Sequence, residues 1–173
     1  MDALDLLNDL AQRPLDALGY VQDRLDPRRL NAHPGGHPNS PAWLLWHAAR
    51  EIDVQVAHLS GRDQVWTAQG FDERFGLEVD PDDLGYGHTP EQSRAVTVSE
   101  DAAGLQLLQD HLAAVVAHAQ EYIGTLKETD LDEVIDRSWD PPVTRGVRLV
   151  SVFDDAAQHV GQVAYVMGMG RGD

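Results

Sequence analysis

The chain has 173 residues, of which 42% are hydrophobic: enough for one domain with an ordinary core. Its formal charge of −16, from 29 acids against 13 bases, argues against nucleic acid or an anionic membrane surface as a partner. Cysteine is absent, which excludes disulfides, thiolate metal sites and a nucleophilic thiol borne by the chain. No apolar run approaches the roughly 18 residues needed to cross a bilayer. The N-terminus carries acid where a secretory signal would carry positive charge, so a cytoplasmic location is expected.

Apolar residues at helical spacing (Leu4, Leu7, Leu10, Leu15, Leu18, Val21, Leu25) predict a first helix over 3–25. Pro14 is expected to kink or split it, because proline removes an amide donor and crowds the preceding turn. Residues 31–39 are rich in Pro and Gly and predict a loop. A second helix starts with Ser40 as N-cap and Pro41 at the first helical position, and runs to Leu59 before Gly61. Residues 61–98 hold repeated Gly, Pro and Asp. They predict a long irregular crossover with at most a short helical piece, a length uncommon in a compact domain unless the segment covers a site.

A third helix is predicted over 99–126, with Ser99 as cap and Leu105, Leu108, Leu112, Val115, Val116, Ala119, Ile123 and Leu126 as its apolar stripe. Two β-like stretches, Val134-Ile135 and 147–150, predict a small hairpin. The last helix is placed at 151–168, with Ser151 and Asp154 as a capping box and Gly168 and Gly170 at its end. The expectation is a single all-α domain over 1–173: a four-helix bundle with a long crossover between helices 2 and 3 and a short β-like hairpin before the last helix.

With no thiolate available, metal chemistry must use His, Asp and Glu, a donor set suited to zinc, nickel, manganese or iron. Of eight histidines, His33, His37 and His88 lie in loops and read as solvated. His111 and His118 share a helix face but stand about 10 Å apart along the axis, too far for one ion, and His58 is farther still from His47. Asp155 and His159 differ: four residues apart on one helix, they project from one face about 6 Å apart and can chelate one ion. A third ligand must come from another element, and His47 on the second helix is the natural donor. Three protein ligands leave a position open for water or substrate. The plain alternative is a core His47 bonded to a backbone carbonyl and a chance Asp-x-x-x-His pair; spacing does not separate the two.

The segment Asn39-Ser40-Pro41-Ala42-Trp43-Leu44-Leu45-Trp46-His47-Ala48-Ala49-Arg50-Glu51 resembles the second-helix motif of the DinB/YfiT-like superfamily. Residues 146–151 and 159–166 resemble its last-helix motif. The resemblance implies a bundle, often a homodimer, with a metal held by three histidines. His47 and His159 match the first and third, while Asp155 stands where the family has the middle one. Aspartate can replace it as a ligand, or orient a ligand from outside the coordination sphere, or leave the site vacant. Glu51, one turn beyond His47, is a substitute ligand or catalytic base.

Members of the family include mycothiol-dependent maleylpyruvate isomerase and S-transferases using mycothiol, bacillithiol or glutathione. The resemblance therefore implies a divalent cation, zinc or nickel first, that activates a small thiol against a small-molecule electrophile. Arg50, Arg145 and Arg148 are candidates for anchoring cofactor or substrate carboxylates. The alternatives are a non-catalytic dimeric bundle that binds a ligand or partner with a degenerate site, and a metal-dependent hydrolase.

Overall fold

A computed structural model describes residues 1–169, and the fold is helical with one two-stranded sheet. Four long helices make the body: α1 (Ala3–Val21), α2 (Pro41–Ser60), α6 (Ala102–Ile123) and α7 (Arg145–Gly168). Three short ones lie in the crossover: α3 (Val65–Ala68), α4 (Phe71–Phe75) and α5 (Pro90–Ala95). Each of α1 and α2 packs against both α6 and α7, so the four long helices form the expected bundle.

Helix α2 is its central element. Ser40 Oγ accepts the amide of Trp43 at 3.1 Å, and Gly61 closes the far end at φ 68°, the left-handed conformation that favours glycine. Every residue from Pro41 to Arg50 is buried. A helix covered on all sides must be contacted by neighbours all round, and α6 and α7 supply that cover. Trp46, Leu45, Ile52, Leu108, Leu112, Ile123, Leu149 and Phe153 are fully buried in one continuous apolar cluster. Truncating a core aromatic such as Phe153 would cost about 3–5 kcal/mol.

The Tyr122 hydroxyl donates to Leu59 O at 3.1 Å, bringing the C-terminal turns of α2 and α6 together. These two helices therefore run the same way, and the chain must travel back along the bundle between them. That return is the physical reason for the long crossover.

Several boundaries differ from the sequence reading. Pro14 lies buried inside a continuous α1 and does not split it; α1 ends at Val21 and a 3-10 turn over Gln22–Arg24 follows. The cap of α6 is Asp101, which accepts the amides of Ala103 and Gly104, while the Ser99 hydroxyl donates to Asp101 instead of capping. The crossover holds three short helices, more than the single piece expected.

The largest difference lies before the last helix. Strand β1 (Val134–Asp136) pairs antiparallel with β2 (Val143–Thr144), so the hairpin exists, but residues 147–150 belong to the helix. Thr144 is the N-cap, its hydroxyl accepting the amide of Val147 at 3.3 Å, and the Ser151–Asp154 capping box does not form an end. Val147 and Val150 are exposed while Leu149 and Val152 are buried, a helical rather than alternating pattern. Gly146 sits in the first turn where a Cβ would come within 3.3 Å of Leu131, so it serves close packing and does not break the helix. Gly170 falls outside the described residues.

Candidate metal centre

Helix α2 presents His47 and Glu51 four residues apart, and α7 presents Asp155 and His159 at the same spacing. His47 meets His159, and one end farther along Gln55 meets Arg148, so the two helices run antiparallel and these faces oppose each other. One ring nitrogen each of His47 and His159 and a carboxylate oxygen of Asp155 all lie within 4.8 Å of one another. His159 Nε2 stands 3.0 Å from Asp155 Oδ2, and His47 Nε2 stands 4.0 Å from the same oxygen. Three donor atoms from two rigid helices thus converge on one point.

The orientation of each imidazole is fixed from behind. His47 Nδ1 donates to Leu84 O, and His159 Nδ1 pairs with Gln162 Oε1 at 2.9 Å. With the proton held on Nδ1 by the Leu84 carbonyl, the Nε2 lone pair of His47 is free to face the centre, the arrangement that ligating histidines require. His159 Nε2, by contrast, is hydrogen-bonded to Asp155 and would give up that proton to a cation. Trp43 stacks on His47 with ring centroids 4.5 Å apart and meets His159 edge-on at 6.2 Å. The carbonyl bond that would mark His47 as an inert core residue is present, yet it occupies only Nδ1.

The charges of His47 and Asp155 suit a cation, while His159 and Glu51 hold protons that a cation would displace. Burial lowers the pKa of His47 and so favours its neutral, ligating form, although the Leu84 bond opposes this. Asp155 is held well below the usual carboxylate range, first by its hydrogen bond with His159. Burial resists protonation of His159, but its bonds to Asp155 and Gln162 outweigh that and raise its pKa. Glu51 is pushed well above the ordinary carboxyl range, first by burial and then by the adjacent Asp155 carboxylate. Its Oε2 is sealed from solvent without a hydrogen-bond partner among the described residues, 4.0 Å from His47 Nε2. A buried carboxyl oxygen beside the open nitrogen of His47, a second imidazole and an ionised aspartate is an environment a divalent cation relieves. The residues fit a metal.

The crossover supplies the backing, through a loop over 83–88. Arg50 donates to the carbonyls of Asp83 and Pro81, holding the loop to α2, and Leu84 O then reaches His47. At Gly85 (φ +91°) an added Cβ would lie 3.0 Å from His47 Nδ1 and from Trp46, so only glycine lets the backbone come this close. His88 pins the other end: Nε2 pairs with Asp83 at 2.9 Å, Nδ1 accepts from Trp43 Nε1 at 3.2 Å, and its ring stacks on Trp46.

His88, read from the sequence as a solvated loop residue, is therefore buried beside the centre. The signal available was the run Asp83-Leu84-Gly85-Tyr86-Gly87-His88, two glycines bracketing a turn inside a segment already long enough to cover a site. His111 was also read as inert, and it is wholly buried among Trp66, Phe71 and Phe75.

The three arginines do not gather at the centre. Arg50 is fully buried, bonded to Asp53, Gln64 and the two loop carbonyls, with its guanidinium 4.8 Å over Trp66. Arg145 is taken up by Tyr122, Leu59 O and Glu133. Arg148 bonds Gln55 and Asp136 and lines a cavity next to Glu51.

A four-helix bundle whose second and last helices face a His–Asp–His cluster across their contact defines a recognisable class of protein. The family model of the DinB superfamily matches residues 10–163, and the chain belongs to that superfamily. A solved structure described as the conserved protein of locus from Enterococcus faecalis is similar at 38% identity and a TM-score of 0.85, with 96% of each chain covered. No curated protein matches the chain.

Proposed function

We propose that this chain is a metal-dependent enzyme that activates a low-molecular-weight thiol, of the mycothiol or bacillithiol type, for attack on a small electrophile. The observation that carries this reading is the convergence of His47 Nε2, His159 Nε2 and Asp155 Oδ2 with both Nδ1 atoms already engaged. These three side chains would hold a divalent cation, zinc or nickel first, and leave a coordination position open. When bound, such a cation supplies the positive charge that lets a thiol lose its proton at neutral pH.

The chain's own groups divide the remaining work. Glu51 Oε2, buried beside His47, is placed to take the proton the thiol releases once the charge of a bound cation has returned its raised carboxyl to the ionised form. Trp43 and the 83–88 loop keep the imidazoles in register and exclude water from behind them. Cavities of about 470 Å³ and 400 Å³ border the centre, one sharing His159 with it and the other Glu51, which suits two co-substrates that meet. With no cysteine in the sequence, the sulfur nucleophile has to come from outside the chain.

The test has two stages. Protein stripped with a chelator and reloaded with zinc or nickel should bind the ion and melt at a higher temperature. Failure of both metals to bind or stabilise removes the enzyme reading and leaves a ligand- or partner-binding bundle with a degenerate site. Loaded protein should then consume a chlorodinitrobenzene faster with thiol than without. Turnover that proceeds equally without thiol assigns hydrolysis in its place.

A further inference from the structure

Glu51 and Leu84, which back the centre, also form one wall of the cavity of about 400 Å³ that opens toward the hairpin. Its rim is apolar and exposed: Trp139 is 64% exposed, Tyr86 89% and Val147 56%. The other three tryptophans, Trp43, Trp46 and Trp66, are all buried. A fold able to bury three indoles leaves the fourth in water at the mouth of a cavity, beside an exposed tyrosine and valine. Exposed apolar groups clustered at a concave site mark a surface meant to be covered.

The same cavity holds one cation. Arg148 lies seven residues before Asp155 on α7, so it shares that helix face about 10 Å farther along the axis. It is steadied by Gln55 Oε1 at 2.6 Å and by Asp136 Oδ2 at 3.3 Å. Asp136 is itself occupied, accepting from the amide and hydroxyl of Ser138. Arg148 spends one N–H of Nη1 on Gln55 and one of Nη2 on its ion pair with Asp136, which leaves further N–H groups to offer a carboxylate. In a chain of net charge −16, a positive group held at such a place selects for negative charge that most of the surface repels.

We infer that this cavity binds a flat aromatic carboxylate, with its ring against Trp139, Tyr86 and Val147, its acid group on Arg148 and its far end toward Glu51. The ring lies along the span between Arg148 and Glu51, both of which line the cavity. The inference names the electrophile class for the site proposed above, and rests on that reading for what happens at the far end. The binding itself does not need the metal.

Calorimetric titration with naphthoate and with the neutral naphthylmethanol, on zinc-loaded and on chelator-treated protein, tests it. Naphthoate should bind both forms, and more tightly than the alcohol. Arg148→Gln should weaken the acid at least tenfold and the alcohol less than twofold, while Arg148→Lys recovers part of the loss. Trp139→Leu, at an exposed position that leaves the core intact, should weaken both ligands. Equal affinity for acid and alcohol, acid binding indifferent to Arg148→Gln, or no binding of either ligand overturns the proposal. So does binding that needs zinc and ignores Arg148, since that is coordination to the ion. Loss of zinc uptake with naphthoate binding retained condemns the enzyme reading and not the cavity.

Discussion

His47 and His111 are both buried on long helices, and burial lowers the pKa of both, yet only His47 stands in the candidate metal cluster. His47 has Nδ1 on a carbonyl and Nε2 facing an ionised carboxylate and a second imidazole. His111 has neither ring nitrogen partnered among the described residues, in a cage of Trp66, Phe71 and Phe75, and the positive charges of Arg50 and Arg74 further disfavour its protonation. Burial alone therefore carries no functional meaning for a histidine. What separates the two is the geometry of acceptors around the ring: His47 is oriented and left with one useful lone pair, whereas His111 packs as a neutral aromatic that tolerates its unmet polarity.

That contrast can be broken most severely at the candidate ligands. His47→Ala or His159→Ala should abolish the thermal stabilisation by zinc, which for the parent chain at a hundredfold excess over Kd amounts to about 2.7 kcal/mol, or several degrees of Tm. His111→Ala should destabilise the fold through its cavity but leave the zinc increment unchanged. Equal zinc increments in the His47 and His111 variants would erase the distinction.

One step back from the ligands, His88→Gln removes the clamp on Asp83 and the stack on Trp46 while leaving the donors in place. Zinc affinity measured by competition with a chelating dye should fall about 10- to 100-fold, the usual effect of losing an outer-sphere contact. An unchanged affinity would mean that the 83–88 loop does not orient His47. Gly85→Ala forces a Cβ toward His47 and Trp46 at φ +91° and should cost about 1–3 kcal/mol in thermal unfolding, with zinc affinity falling in parallel. A fully stable Gly85→Ala chain would show that the loop can retreat.

The smallest effect is on the His111 side. Its folded pKa lies well below the ordinary histidine value, so below pH about 6.5 the unfolded chain binds a proton that the folded chain refuses. Its contribution is present above that value and is lost as pH falls, with a slope of at most about 1.4 kcal/mol per pH unit. His111→Leu should flatten the decline in stability between pH 6.5 and 5, by about that slope at most, with no effect on metal uptake. Denaturant midpoints across that range decide it; an unaltered pH profile would mean that His111 is protonated in the fold.

The boundaries of α2 were legible because Ser40, Pro41 and Gly61 are local signals that need nothing from the rest of the chain. The start of α7 was misread for the complementary reason. Residues 147–150 favour strand by composition, but their helix is decided by Thr144 capping and by burial of Leu149 and Val152 against the bundle. At the site, the i,i+4 spacings of His47 with Glu51 and Asp155 with His159 could be read from position alone. The 83–88 loop could not, because nothing local says which helix a Gly-rich segment will lie against.

The sequence by itself determined the helical periodicity, the acidic charge, the lack of a protein thiol and the two helix faces that carry His47, Asp155 and His159. Tertiary structure alone decided that those faces meet in antiparallel contact, that Leu84 and Gln162 hold the two imidazoles with Nε2 inward, and that His88 is buried while Arg50 is spent holding the crossover. The division has a physical cause. Helix periodicity and capping are set by neighbours within four residues, whereas ligand convergence depends on packing between segments more than a hundred residues apart.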